Sequence, residues 1–203
     1  MSTGSTGPVA AAVVIGTSAG GVEALLALLP AFPATYPGAV FVVLHLPRER
    51  PSLLVDIFAP RCALRVREAE DKEPVEPGTI YFAPPDYHLL IDNGPELSLS
   101  ADDPVNFSRP SIDVLFESAA DVYGAGLLGI ILTGASQDGA RGLETVRALG
   151  GLTYVQEPST ATASYMVEAA LQRAPGHRVM SLESLAGLVS HIRMRQPEAG
   201  EDV

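Results

Sequence analysis

The chain is short of positive charge and of cysteine. Of its 13 basic residues only Lys72 is a lysine, and arginines carry the rest against 24 acidic residues. The resulting net charge of −11 excludes nucleic acid as the main partner, because phosphates need a basic face. A single cysteine, Cys62, excludes an internal disulfide and a multi-cysteine zinc site, and reads as a small core or surface residue. Long hydrophobic runs are missing as well. The apolar run over 9–15 lacks a basic leader, is short for a secretion signal, and enters a glycine turn where a cleavage site should stand. No run approaches the ~18 residues of a membrane span, so no membrane insertion is expected and the expected compartment is the cytoplasm.

What is present suits one domain. The 203 residues are 47% hydrophobic, enough for a sizeable core. Residues 1–8 are small and polar and read as a flexible N-terminus, 9–194 as the folded domain, and 195–203 as a flexible tail. Strands rich in β-branched residues are predicted over 9–15, 39–44, 126–134 and 152–156, with helical patterns following the first three. "ASYMVEAALQ" and "SLESLAGLVSHIRMR" read as further helices. Buried strands alternating with helices imply an α/β fold, a doubly wound, mostly parallel sheet sandwiched by helices. In the middle, "TIYFA", "YHLLI" and "ELSLS" read as a small antiparallel hairpin insertion, its tight turn at Asn93-Gly94. "RPSIDVLFESAADVY" returns to helix, with Pro110 near its start.

The junction "GTSAGG" after the first strand admits three readings. The glycines could let the helix pack close to the sheet. They could cradle a phosphate, but Val22 and Glu23 stand where a phosphate loop needs Lys and Ser/Thr, and the spacing is not that of a dinucleotide fingerprint. Read as G-x-S-x-G, residues 16–20 could present Ser18 as a nucleophile. A serine needs a base and a group to orient it. His45 ends the strand over 39–44, and Asp138 follows the run "GIILTG". All three residues then fall at carboxyl ends of parallel strands, where open α/β sheets assemble their sites. His88, His177 and His191 read as packing or surface residues, and Asp138 could instead be a helix cap. The chain order Ser, His, Asp is not that of the α/β-hydrolases, chymotrypsin or subtilisin, so another scaffold is implied.

The combined segments resemble the CheB-type chemoreceptor methylesterases (protein-glutamate methylesterase/glutaminase). "VVIGTSAGGVEAL", "VVLHLP" and "GIILTGASQDGARGL" are similar to that family's serine, histidine and aspartate segments, and "EPGTIYFAPPDYHLLI" and "RPSIDVLFESAA" to its intervening ones. The sequence departs from the usual pattern at Ala19, Leu44, Ala135-Ser136 and Tyr165-Met166-Val167. The resemblance implies a Ser18–His45–Asp138 triad, no metal and no organic cofactor. It implies methylated chemoreceptor cytoplasmic helices as substrate, other chemotaxis signalling proteins as partners, and deamidation of receptor glutamines as a related activity. Backbone N–H groups near Ala19 and Gly20 are expected to hold the oxyanion. Arg48 and Arg50, close after His45, are expected either to meet an acidic receptor helix or to form a solvated loop. Many members carry a phospho-receiver domain; with the first strand so near Met1, a stand-alone catalytic domain is expected. Two other readings stay open: a non-catalytic signalling module on the same fold, and a nucleotide-binding domain. Acylation of Ser18 by a serine-directed probe separates the enzyme from both.

Overall fold

The computed structural model describes residues 8–46 and 52–193. The elements in chain order are β1 (Ala12–Thr17), α1 (Gly21–Leu28), β2 (Ala39–Leu44), α2 (Leu54–Phe58), β3 (Arg65–Glu68), β4 (Thr79–Phe82), β5 (His88–Asp92), β6 (Glu96–Ser100), α3 (Ile112–Tyr123), β7 (Leu127–Ile131), α4 (Ala140–Ala148), β8 (Leu152–Gln156), α5 (Tyr165–Arg173), β9 (Arg178–Met180) and α6 (Leu182–Ser190). Among the described residues, seven strands pair in the order β3-β4-β2-β1-β7-β8-β9, every pair parallel. Parallel strands need crossovers, and helices on both faces supply them.

Strand residues alternate between two cores, as a period of two requires. Val13, Ile15, Val40, Val42, Ile80 and Phe82 face one side, where α1, α2 and α6 contribute Leu25, Leu28, Phe58, Leu185 and Val189. Ala12, Val14, Phe41, Val43, Tyr81 and Ile131 face the other, against Leu115 and Phe116 of α3, Leu143 of α4 and Val167 of α5. All six residues of β1 and of β2 are buried, which places these two strands in the middle of the sandwich.

The antiparallel insertion is smaller than expected. Only β5 and β6 form it, with His88 opposite Ser100 and Asp92 opposite Glu96. "TIYF" is instead β4, parallel to β2 and β3 in the main sheet. Its four residues are all buried, whereas the hairpin strands keep one wetter face; a strand covered on both sides belongs inside a parallel sheet. At the hairpin tip only Gly94 takes a positive φ, 102°, so the connection is a three-residue loop with glycine at the left-handed position. The first strand starts at Ala12, later than its apolar run, and extends to Thr17. Val9 forms only an isolated bridge to Arg193. The edge strands β3 and β9 were not expected from the sequence, and the helical pattern expected after β2 is only the short α2. Cys62 packs against the α1/α2 side of the core, and burial pushes its thiol up to about 11, away from reactivity. Among the described residues no helix is long and apolar enough to cross a membrane.

The sheet order reverses direction at β1: β2 lies on one side of it and β7 on the other. The crevice beyond their carboxyl ends is where such folds bind ligands. Gly16 in β1 lets α3 close over that crevice, since a Cβ there would lie 2.3 Å from Ile112 Cγ2. Gly16→Ala is therefore expected to destabilise the fold by about 1–3 kcal/mol through overpacking, read as a lower urea midpoint at unchanged slope. An unchanged midpoint would show that α3 does not press on β1.

Candidate active site

Each candidate residue follows a strand of the central trio. Ser18 follows β1, and its N–H donates to Thr133 O at 3.0 Å, just beyond β7. His45 follows β2, and its N–H donates to Thr17 O at 3.1 Å. Asp138 lies between β7 and α4. The structure thus gathers the three at one sheet edge.

The turn after Ser18 has the glycine it requires. Gly20 takes a φ of 77°, and a Cβ there would come within 2.6 Å of Thr162 Cβ. The Thr133 hydroxyl donates to Ala19 O at 2.9 Å and fixes the turn from the neighbouring strand end. The Ala19 side is exposed and Ser18 is half-buried. Among the described residues, the N–H groups of Ala19 and Gly20 and the Ser18 hydroxyl have no hydrogen-bond partner. Catalytic hydrogen bonds of an empty site are often long and tighten on substrate.

His45 and Asp138 are in direct contact, with Nε2 of the ring 2.9 Å from Oδ2 of the carboxylate. His45 keeps 14% of its side chain exposed, while Asp138 has none. The buried carboxylate is surrounded by donors. Oδ2 also accepts the Ile112 N–H at 2.6 Å. Oδ1 accepts the Ser111 hydroxyl at 2.7 Å, Asn106 Nδ2 at 3.1 Å and the Asp113 N–H at 3.3 Å. Burial alone would raise its pKa, but the bonds from His45, Ile112 and Ser111 outweigh that and hold the carboxyl below the usual carboxylate range. Its charge also faces the N-terminus of α3, where the helix dipole favours an anion.

Asp138 is thus a helix cap after all, but of α3 and not of the helix that follows it. The favour is returned by Asp113, whose Oδ1 accepts the N–H groups of Gly139 and Gly142 at the start of α4, at 3.0 and 2.7 Å. Burial, partly offset by the Gly142 bond, pushes the Asp113 carboxyl up, and the charge of Asp138 adds to the rise.

Asn106, Ser108, Ser111 and Asp113 were not singled out in the sequence. Ser108 Oγ lies 3.5 Å from His45 Nδ1, too far for a strong bond. The polar stretch "VNFSRPSID" just before an apolar helical pattern is the available signal, and only its "RPSID" part reads locally, as a helix start. His88 is buried as a packing residue should be. Its Nδ1 accepts the Ser111 N–H at 3.1 Å and its Nε2 donates to Asp103 O, so it supports the site from behind. His177 is buried against Thr153, and His191 is exposed at the end of α6. Arg48 and Arg50 lie outside the described residues. Among the described residues no cluster of three His, Cys, Asp or Glu could hold a metal. A cavity of about 240 Å³ is walled by His45, Phe107 and Ser108, and another of about 410 Å³ lies between Phe107, Gln137 and Tyr165.

Comparison with known proteins gives one answer at three levels. The family model described as CheB methylesterase matches residues 13–189. A Leptospira interrogans protein named for protein-glutamate methylesterase and protein-glutamine glutaminase activities is 44% identical over 177 residues, 87% of this chain and 92% of that one. A Symbiobacterium thermophilum protein-glutamate methylesterase/protein-glutamine glutaminase is 35% identical over 178 residues, 88% of this chain but 49% of its own length. Among solved structures, the Thermotoga maritima CheB methylesterase catalytic domain superposes with a TM-score of 0.84 at 30% identity, covering 89% of this chain and 97% of that one.

The depressed pKa of Asp138 has a consequence for stability. Its ionised form is favoured by folding, so this contribution is complete above the unfolded value near ~3.9 and is lost as pH falls through the lower folded value. Asp138→Asn is expected to cost about 2–3 kcal/mol at pH 7, with the gap to wild type closing in acid below about pH 4. Urea unfolding of both proteins across that range checks this. A gap that stays constant with pH would mean that the charge does not stabilise the fold.

Proposed function

The chain belongs to the CheB methylesterase family, and we propose that it works as a serine hydrolase removing methyl esters from glutamate side chains of chemoreceptors. The observation that carries this reading is the His45–Asp138 hydrogen bond, 2.9 Å long, made at the strand ends flanking Ser18. Because Asp138 takes the Nε2–H, the lone pair of neutral His45 sits on Nδ1, and that nitrogen is the general base. Ser18 Oγ attacks the ester carbonyl while Nδ1 takes its proton. Collapse of the tetrahedral intermediate breaks the C–O bond to methoxide, which leaves as methanol with the proton from Nδ1. Water, deprotonated by the same nitrogen, then hydrolyses the acyl-serine, returning free Ser18 and a glutamate. Asp138 stays ionised throughout and stabilises the imidazolium.

The N–H groups of Ala19 and Gly20, free at the start of α1, are the donors for the oxyanion. Glutamine side chains would follow the same acyl chemistry with ammonia leaving, consistent with the second activity in the relatives' names. Phe107, fully exposed, and Tyr165, more than half exposed, wall one cavity, Phe107 also lines the one that His45 lines, and the two rings offer apolar contact to a docking receptor helix. Arg48 and Arg50 would meet its acidic groups.

Ser18→Ala and His45→Ala are each expected to lower methanol release from methylated receptor membranes on the order of 10⁶-fold in folded protein. Asp138→Asn should cost roughly 10⁴-fold, since the amide favours the wrong imidazole tautomer. A folded Ser18→Ala protein that keeps a tenth of the activity would overturn the assignment.

A further inference from the structure

Asn106 stands between the two buried carboxylates. One nitrogen, Nδ2, donates to Asp113 Oδ2 at 2.9 Å and to Asp138 Oδ1 at 3.1 Å. Asp113 is 2% exposed and Asp138 is fully buried. The turn that delivers this amide is held in an uncommon shape. Asn106 and Phe107 have φ of 49° and 64°, and reciprocal backbone bonds between Val105 and Ser108 close the turn around them. That geometry sends the amide inward and leaves Phe107 fully exposed.

An amide is well suited to this place. It has two protons on one atom and loses neither, so it can serve two anions at once. A hydroxyl would serve one, and a lysine would bring a charge of its own. Without the amide, two carboxylates within about 3 Å of the same point would face each other in a dry interior, where one of them takes up a proton. The other charged groups near the pair are few. His45 binds Asp138 Oδ2, and Arg141 Nε lies 3.8 Å from Asp113 Oδ2 but is already held by Glu117.

We propose that Asn106 is a positioning residue for the reaction: by giving one amide proton to each buried carboxylate, it holds Asp138 aimed at His45 and separates its charge from that of Asp113. The inference rests on the reading of His45 as the general base, and its test has a readout that does not depend on turnover. In Asn106→Leu the pair retains a proton to higher pH. The carboxyl carbons of Asp113 and Asp138, followed by NMR, should show one titration raised by about one pH unit or more. The acid limb of kcat/KM should move up with it, and kcat should fall by about 10²-fold from misplacement of the base. Asn106→Leu combined with Asp113→Asn should return the acid limb to its wild-type position. The new amide still accepts from Gly139 and Gly142 through Oδ1 but no longer competes for a proton. If the leucine variant does not fold, Asn106→Ser, which keeps one donor, should move both readouts in the same direction. Unmoved carboxyl titrations in a folded Asn106 variant would overturn the proposal, even where Ser18→Ala and His45→Ala are inactive. Moved titrations alongside an active Ser18→Ala would support the positioning geometry and overturn the catalytic reading instead.

Discussion

A single buried carboxylate joins the parts of this protein that matter for chemistry. An ionised group with no exposed surface is costly unless donors replace the water it has lost. Asp138 meets that requirement with five donors from three stretches of chain: His45 after β2, Asn106 and Ser111 before α3, and the first N–H groups of α3 itself. The same contacts that keep the charge in place therefore seat α3 on the sheet edge and fix the histidine ring. Fold and site share these bonds, so a change at the site is expected to be felt in stability.

The capping is reciprocal. Neither α3 nor α4 is capped by the side chain of its own N-cap residue; Ser111 and Gly139 leave that to an acid at the start of the other helix. Exchanging caps ties the starts of two helices together at the point where the crevice opens. The cost is two like charges close together in a dry interior. The pair is set unequally: bonds from His45, Ile112 and Ser111 hold Asp138 low, while burial pushes Asp113 up and the charge of Asp138 adds to that rise. Asn106 lies where the conflict is sharpest.

The placement of Ser18, His45 and Asp138 at neighbouring strand ends was legible in the sequence because each follows a run of β-branched residues, and a parallel sheet brings such strand ends together. The two-core sandwich was legible for the same reason: alternation in strands like β1 and β2 is lost when both faces are buried, and continuous apolar runs remain. "TIYF" misled because it neighbours a true hairpin in sequence, although its partners in space are β3 and β2, both earlier in the chain. The edge strand β3, with Arg65 exposed and Val66 buried, carries too few apolar residues to announce itself. Asn106, Ser111 and Asp113 left no periodic signal at all. Their bonds to Asp138 span 25 to 32 residues along the chain, and polar contacts at that range follow from the finished topology, not from local pattern.

The proposed chemistry turns on which nitrogen of His45 carries the proton when the ring is neutral. Nitrogen NMR of protein labelled in histidine, recorded well above the imidazole titration, reads this directly. The structure predicts a protonated Nε2, its proton shifted downfield by the bond to Asp138, and a bare Nδ1. Asp138→Asn should abolish that downfield proton. A neutral His45 protonated at Nδ1 in the wild-type protein would contradict the account, because the base would then be the nitrogen that the structure gives to the carboxylate.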